Sequence, residues 1–284
     1  MNSTTTPVPR FWADLKSPDF AALDLARCIA VLPVAAIEQH GPHLPLNVDA
    51  TLVDGVIGAA LPHLPAALPL LFLPTQAIGL SPEHARFAGT LTLKASTVIS
   101  LWTEIAESVA QSGIKKLVLL NSHGGNVGLL DVVARDLRAR LGQLVYSVNS
   151  FNLPLQREGE GEGGASVADR FSAHEQRFGI HAGEIETSLM LALKPEQVVM
   201  AKAQNFHSSS QDRAEKFSIL GDGRSAKLGW QMQDYTAHGA VGNAAAATAE
   251  KGHALLAAMG RSLAQLLSEI DQLPPDTLRS ATAI

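Results

Sequence analysis

The sequence predicts an α/β fold in one large domain, and three observations carry that reading. Short β-branched or leucine-rich runs alternate with longer segments of helical spacing, the order expected of α/β construction. The 284 residues are 46% hydrophobic and 17% charged, which suits one large core better than two ordinary domains. Polar clusters follow directly on the apolar runs, where open parallel sheets place their ligands.

The elements follow in chain order. Ile29 to Val34 is a short β-branched run and reads as a buried strand. Asp49 to Leu61 is a candidate helix. Leu61 to Leu73 is apolar, but Pro62, Pro65 and Pro69 punctuate it, so it reads as a loop feeding a second strand at Leu70 to Leu73. Thr97 to Ser112 repeats Val98, Leu101, Trp102, Ile105 and Val109 at helical spacing, and Ser112-Gly113 ends it. Lys116 to Leu120 is a strand, Val127 to Leu141 a helix and Leu144 to Val148 a further strand. Ile185 to Leu193 reads as a helix, and Ala244 to Ile270 as one long, alanine-rich C-terminal helix. Arg157 to Ala165 is glycine-rich, but Glu158, Glu160 and Glu162 would repel a phosphate, so a surface loop or lid is expected. No internal repeat is found.

Composition excludes several classes. A net charge of −5 argues against a nucleic-acid binder that works by neutralising phosphates. No apolar run approaches the ~18 residues of a membrane span. The single cysteine, Cys28, rules out an intrachain disulfide and reads as a small apolar residue near the start of a strand. Met1 to Pro9 lacks the apolar core of a signal peptide. A reducing cytoplasm is the expected compartment.

Four polar clusters carry candidate chemistry. In Ile37-Glu38-Gln39-His40-Gly41-Pro42-His43, an extended backbone puts Glu38 and His40 on one face, about 6.6 Å apart. A carboxylate and an imidazole at that spacing can grip neighbouring metals, and Asp49 can bridge them; the alternative is a surface loop. In Asn121-Ser122-His123-Gly124-Gly125-Asn126, the segment leaves a strand and opens a helix. His123 there is either a hydrogen-bonded core residue or a ligand, with glycines that allow close backbone approach. In His181-Ala182-Gly183-Glu184-Ile185-Glu186-Thr187-Ser188, Glu184 can simply complement a helix dipole, whereas His181 and Glu186 flank a tight glycine turn. Ser81-Pro82-Glu83-His84 precedes Phe87-Ala88-Gly89-Thr90, and His84 alone reads as a surface histidine. Together the clusters put His and acid groups on strand-end loops of one domain.

These segments resemble the creatininase (creatinine amidohydrolase) family. Leu32 to Pro45 is similar to its first motif, Leu119 to Asn126 to its second, His181 to Ser188 to its third and Ser81 to Thr90 to its pocket loop. The tail Gly239-Ala240-Val241-Gly242 and Ala247 to Gly252 also matches, so the likeness runs roughly from residue 10 to 265. It implies a single-domain α/β/α sandwich with a mainly parallel sheet over residues 10–270. It further implies a metal-dependent hydrolase of C–N bonds in amides or cyclic amides. Two divalent ions are implied, zinc first, with manganese or iron as alternatives. Glu38 and His123 would hold one ion, His40 the other, and Asp49 both.

In the creatinine-hydrolysing members a glutamate two positions after the second-motif histidine completes the second site; here that position is Gly125. Glu186 is the first choice for the missing carboxylate and Glu184 the second. The resemblance makes His181 the catalytic histidine, with Glu184 beside it. It puts Ser81, Glu83, His84, Gly124 and Gly125 at the substrate. Asn47-Val48, Ser122 and Ala88 depart from the family pattern, and Arg177-Phe178-Gly179-Ile180 lacks the Trp-Asp pair that packs on creatinine. Creatinine is therefore expected to be a poor substrate. Family relatives that deformylate a pyrimidine intermediate or trim a modified peptide offer other amide substrates. The implied assembly is a homo-oligomer, commonly a hexamer, acting on a small amide without nucleic acid or membrane. A non-catalytic metal-binding protein that kept the family shell is the rival from another class.

Overall fold

The computed structural model of the chain describes residues 9–155, 166–223 and 225–279; the Arg157–Ala165 stretch lies outside them. The central sheet consists of β1 (Ile29–Val34), β2 (Leu70–Phe72), β3 (Lys116–Asn121) and β4 (Leu144–Asn149). Its order is β2-β1-β3-β4, and every neighbouring pair is parallel. Successive strand residues face opposite sides of a sheet. Ile29, Val31, Phe72, Val118 and Leu120 accordingly join one core, and Ala30, Leu32, Leu71, Leu117 and Leu119 the other. Both faces are covered, which is why β1 and β3 read as continuous apolar runs rather than alternating ones.

The helices are α1 (Val48–Ala60), α2 (Ala95–Gln111), α3 (Val127–Leu141), α4 (Ala173–Phe178), α5 (Glu184–Leu193), α6 (Ser209–Lys216), α7 (Met232–Tyr235) and α8 (Ala249–Gln272). Leu52 and Val56 of α1, Leu189 of α5 and Leu255 and Leu263 of α8 fill the first core. Val98 and Trp102 of α2 and Leu130, Val133 and Leu137 of α3 fill the second. The result is the expected α/β/α sandwich. A short antiparallel pair, β5 (Asn205–Phe206) with β6 (Gly242–Asn243), lies outside the main sheet. Among the described residues, no helix is long and apolar enough to cross a membrane.

Two departures from the sequence reading have local causes. The C-terminal helix begins at Ala249, not Ala244. Thr248 caps it by accepting from the Lys251 N–H at 3.2 Å, and its own N–H is held by Ser188 Oγ at 3.2 Å. Residues Ala244–Ala246 form only a single 3-10 turn, so alanine propensity yields here to a cap set by tertiary contact. The second departure is at the end of β2, which stops at Phe72 rather than Leu73, while β1 keeps its expected range. Its pairing with β2 stops at Val31–Phe72 and resumes only at a single bridge, Val34 to Gln76. Pro33 has no N–H to donate across that gap. The chain after β2 bulges at Leu73 to Thr75, rejoins β1 where Gln76 N donates to Pro33 O at 2.9 Å, and runs on past the strand ends as an irregular loop.

Cys28 is buried just ahead of β1. Burial first, and the Asp24 carboxylate next, push its thiol up to about 11. The native protein is therefore expected to resist alkylation by iodoacetamide at pH 8, with full labelling after unfolding in denaturant. Mass spectrometry that finds rapid native labelling would contradict this placement.

Candidate metal centre

Four chain segments meet at the carboxyl ends of β1, β2 and β3 and at the start of α5. Buried asparagines tie them. Asn126 Nδ2 donates to Ala35 O at 3.1 Å after β1, while its Oδ1 accepts from Leu80 N at 3.0 Å on the β2 loop. Asn121 Oδ1 accepts from His123 N at 3.0 Å, and its Nδ2 donates to His123 O at 2.7 Å. His123 is thus clamped by its own turn. His43 of the first motif stays out of the cluster and instead joins Thr187 Oγ1 of α5 at 2.9 Å.

The side chains these segments deliver face one another. Glu38 Oε1 is the common focus, 3.3 Å from His123 Nδ1, 3.5 Å from His84 Nε2, 3.6 Å from His181 Nδ1 and 3.9 Å from His40 Nε2. The other oxygen of Glu38 accepts from Ser81 Oγ at 2.5 Å. Asp49, in the first turn of α1, presents Oδ2 to His123 Nδ1 at 3.3 Å and Oδ1 to His40 Nε2 at 3.6 Å. Glu186 Oε2 stands 3.8 Å from His40 Nε2. Glu38, His40, Asp49, His123, His84 and His181 are all buried.

This donor set fits divalent ions. His40 Nδ1 donates to Glu38 O at 3.0 Å and His123 Nε2 to Leu80 O at 3.0 Å, so the opposite ring nitrogens are free to ligate. His40 Nε2 and Asp49 Oδ2 are buried without a hydrogen-bond partner, a costly state that an ion would relieve. Two ligand atoms ~2.1 Å from a tetrahedral ion stand about 3.4 Å apart. The observed spacings of 3.3–3.9 Å around His40 and His123 lie near that value.

Two further histidines lie against the cluster, and Gln39 sets both. Gln39 Oε1 accepts from Gly41 N at 3.0 Å, which fixes the amide orientation. Its Nε2 then donates to His84 Nδ1 at 2.6 Å, and its backbone O accepts from His181 Nε2 at 2.8 Å. His84 therefore turns an N–H toward Glu38, whereas His181 turns the lone pair of Nδ1 toward it. Burial, followed by the neighbouring imidazoles, holds His181 well below the ordinary histidine value, so the ring is neutral at pH 7.

The third motif is a strained turn. Ala182 has φ of 53°, the left-handed region, which costs a non-glycine residue about 1–2 kcal/mol. Its N–H donates to Glu186 Oε2 at 2.5 Å, so the turn orients the carboxylate that faces His40. Beneath it, the buried Glu175 carboxylate accepts from Glu184 N and Asn243 N, both at 2.7 Å. It fills the hollow left by Gly179, Gly183 and Gly242, where any Cβ would come within 2.7 Å of it.

Most residues expected at the site are brought together, and some have different surroundings from those expected. Glu184 is withdrawn: its carboxylate pairs with Lys251 Nζ and lies outside the groups that can share an ion. Residues 184 and 186 are about 200° apart around a helix, so only one can face the cluster. Ser81 and His84, expected at the substrate, contact Glu38, and His84 is buried rather than on the surface. Glu83 stands beside His123, with Oε1 3.4 Å from Nε2. Gly124 is exposed, with open space where a side chain would go, whereas a Cβ at Gly125 would collide with its surroundings. Gln39 and the two asparagines went unassigned in the sequence. The only signal for Gln39 was its place between two candidate ligands.

The charges give a direct expectation for an ion-stripped preparation. Burial opposes a proton on His40, but Asp49, Glu186 and Glu38 lift it to about 9. His123 is likewise raised, by Glu38 and Asp49 against burial. Burial, then Asp49 and Glu38 against the pull of His40, raises Glu186 to about 7. At pH 7 both imidazoles then carry protons that an incoming ion must displace. Zinc titration in buffers of different ionisation heat is expected to show release of about two protons or more per chain. Release should shrink, and apparent affinity rise, as pH climbs through the His40 value. Binding at pH 7 without proton release would contradict this electrostatic arrangement.

Comparison with known proteins identifies the family. The sequence profile of the creatinine amidohydrolase (creatininase) family matches residues 13–267. A mycofactocin precursor peptide peptidase from Mycobacterium tuberculosis is 40% identical over 115 residues, 38% of this chain and 45% of the peptidase, so the match spans about half of that relative. The creatinine amidohydrolase of Pseudomonas putida is 27% identical over 265 residues, 87% of this chain and 91% of that protein. Among solved structures, a candidate creatinine amidohydrolase from Bacteroides fragilis superposes with a TM-score of 0.70 at 26% identity, over 93% of each chain.

Proposed function

The chain belongs to the creatininase family of hydrolases, and from that premise we propose that it hydrolyses the C–N bond of an amide at a paired divalent-metal site. One observation carries the reading: the two oxygens of Asp49 face two different imidazoles, His123 and His40. Glu38 and His123 would hold one ion, His40 and Glu186 the other, and Asp49 both. When bound, such ions lower the pKa of water and polarise a carbonyl oxygen.

The protein's own groups do the rest. His181 receives a proton at Nδ1, because its Nε2–H is committed to the Gln39 carbonyl. Water oxygen bonds to the acyl carbon, the C–N bond breaks, and the proton held at Nδ1 passes to the leaving nitrogen. The products are a carboxylic acid and an amine. His84, neutral and tied by Gln39, keeps an N–H aimed at Glu38 and helps fix that carboxylate.

Elemental analysis and an amide panel test the proposal. Up to two divalent ions per chain are expected, with zinc ahead of manganese or iron. Hydrolysis should be abolished by chelators and restored by the ion. Creatinine should be turned over poorly or not at all, since Gly125 and Arg177-Phe178-Gly179-Ile180 replace groups that serve creatinine in the family. A creatinine kcat within the ordinary ~1–10³ s⁻¹ would overturn that part. Chelator-insensitive hydrolysis by protein without divalent metal would overturn the whole.

A second reading, trimming of a peptide end, has a specific observation behind it. An open cleft of about 430 Å³ is lined by Gln39, Pro42, Leu46, Phe87, Ala88 and His238, and Gln39 also holds His181. An open, largely apolar groove suits a peptide side chain better than a small cyclic amide does. Faster cleavage of terminal amide bonds in apolar peptides than of small amides would favour this reading.

A further inference from the structure

Glu83 has no part in the hydrolysis just described, yet it is turned inward. It belongs to the turn Pro82–His84, whose neighbours Ser81 and His84 both contact Glu38. Its Oε1 lies 3.4 Å from Nε2 of His123, and its side chain is only 13% exposed. Nε2 also donates to Leu80 O at 3.0 Å, so the outer edge of the ring meets two oxygens while its inner edge faces Glu38 and Asp49, both at 3.3 Å. Gly125 marks the same spot from the other side. A Cβ there would lie 2.2 Å from Glu83 Oε1, 2.5 Å from His123 Nε2 and 2.5 Å from Leu80 O. No side chain at 125 is compatible with that carboxylate in that place.

We propose that Glu83 is the positioning carboxylate of His123, holding the outer edge of the ring so that Nδ1 stays aimed between Glu38 and Asp49, and that glycine at 125 keeps the space for it. The inference rests on the metal reading above. A carboxylate behind a ligating imidazole fixes its tautomer and raises its basicity as a ligand. Glu83 acts through His123 and needs no contact with substrate. A direct ligand role, which the spacing of Glu38, Glu83 and His123 would also permit, predicts that an ion is lost outright in Glu83→Gln, and that result would overturn the proposal.

The test measures zinc affinity by chelator competition, and the visible spectrum of the cobalt(II)-loaded protein, for four proteins: wild type, Glu83→Gln, Gly125→Ala and the double variant. Glu83→Gln is nearly isosteric and is expected to weaken zinc binding 10–100-fold and to alter the cobalt bands, as re-aiming a ligand does. Gly125→Ala should weaken binding at least as much, because its methyl group collides with the carboxylate, with His123 Nε2 and with Leu80 O. In the Gly125→Ala background, Glu83→Gln should cost little more, since the interaction is already gone. Zinc affinity within about twofold of wild type and an unchanged cobalt spectrum in Glu83→Gln would overturn the proposal. So would full additivity of the two losses. Wild-type protein that binds neither zinc nor cobalt would sink the metal reading and this inference together; normal wild-type binding with an unaffected Glu83→Gln would sink this inference alone.

Discussion

Asp49→Ala is expected to bring bound metal toward zero, whereas His40→Ala should stop near half. The difference follows from where the oxygens point. Asp49 Oδ2 faces His123 and Oδ1 faces His40, so one carboxylate serves both proposed ion positions. His40 Nε2 serves one, and its loss leaves Glu38, Asp49 and His123 for the other. Asp49 is held well below the usual carboxylate range by His123 and His40, although burial pushes the other way. Its removal therefore also takes from His40 its strongest counter-charge and from His123 one that stands beside Glu38. The fold should survive, because Ser122 Oγ holds the start of α1 through the backbone oxygen of residue 49 at 2.8 Å. Metal analysis of the two variants, with circular dichroism as a control on folding, checks the claim. Equal losses in both, or two ions retained in Asp49→Ala, would contradict the bridging role.

His181→Asn is expected to lower the hydrolytic rate 10²–10⁴-fold, the usual share of general acid–base catalysis, with metal content unchanged. Asparagine is too short to reach the Gln39 carbonyl that Nε2 holds, and it offers no basic atom where Nδ1 stood. The loss should be smaller for an anilide than for an alkyl amide, because the better leaving group needs less protonation. Two rival roles give different results. A ligand role, which the spacing of His40, His181 and Glu186 would also permit, predicts that an ion is lost with the imidazole. A purely structural role at the Ala182 turn predicts a lower melting temperature and one uniform loss across leaving groups. Rates on two leaving groups, metal analysis and a melting curve separate the three.

What the sequence disclosed, and what it withheld, follows from the range of the forces involved. The buried strands and the helix Val127–Leu141 were legible because apolar periodicity is a local record of burial on one or both faces. Glu38, His40, Asp49 and His123 were legible as candidates because polar clusters that follow buried strands mark where a ligand site gathers. Which of Glu184 and Glu186 meets them was not, since that depends on how α5 docks, and docking is settled by residues far along the chain. His84 read as a surface residue because the groups that enclose it are far along the chain: Gln39, 45 positions away, and the rings of His181 and Trp230. Gln39 itself was masked by the assumption of an extended segment. Gly41, at φ of 67°, turns the chain there and folds the Gln39 amide inward. The alanine run at 244 misled for the opposite reason: a strong local preference was overruled by one threonine cap.

The anchoring of the ligands differs between the two proposed ion positions. Glu38, Asp49 and His123 issue from β1, α1 and β3, around the middle of the sheet. Glu186 issues from α5, whose buried residues rest on α8 near the end of the chain, and it is aimed by the left-handed turn at Ala182. Proteins open in parts, and the first turn of a helix frays at lower cost than the strands of a central sheet separate. Fraying of the first turn of α5, with the strained turn before it, would carry Glu186 off and leave the other three in place. One ion would then exchange with solvent on the timescale of that local opening, and the other only on that of unfolding. A preparation dialysed for hours would pass through a protein carrying a single ion, at the Glu38 and His123 position, and the amides at the start of α5 would exchange their hydrogens in step with the ion that leaves first.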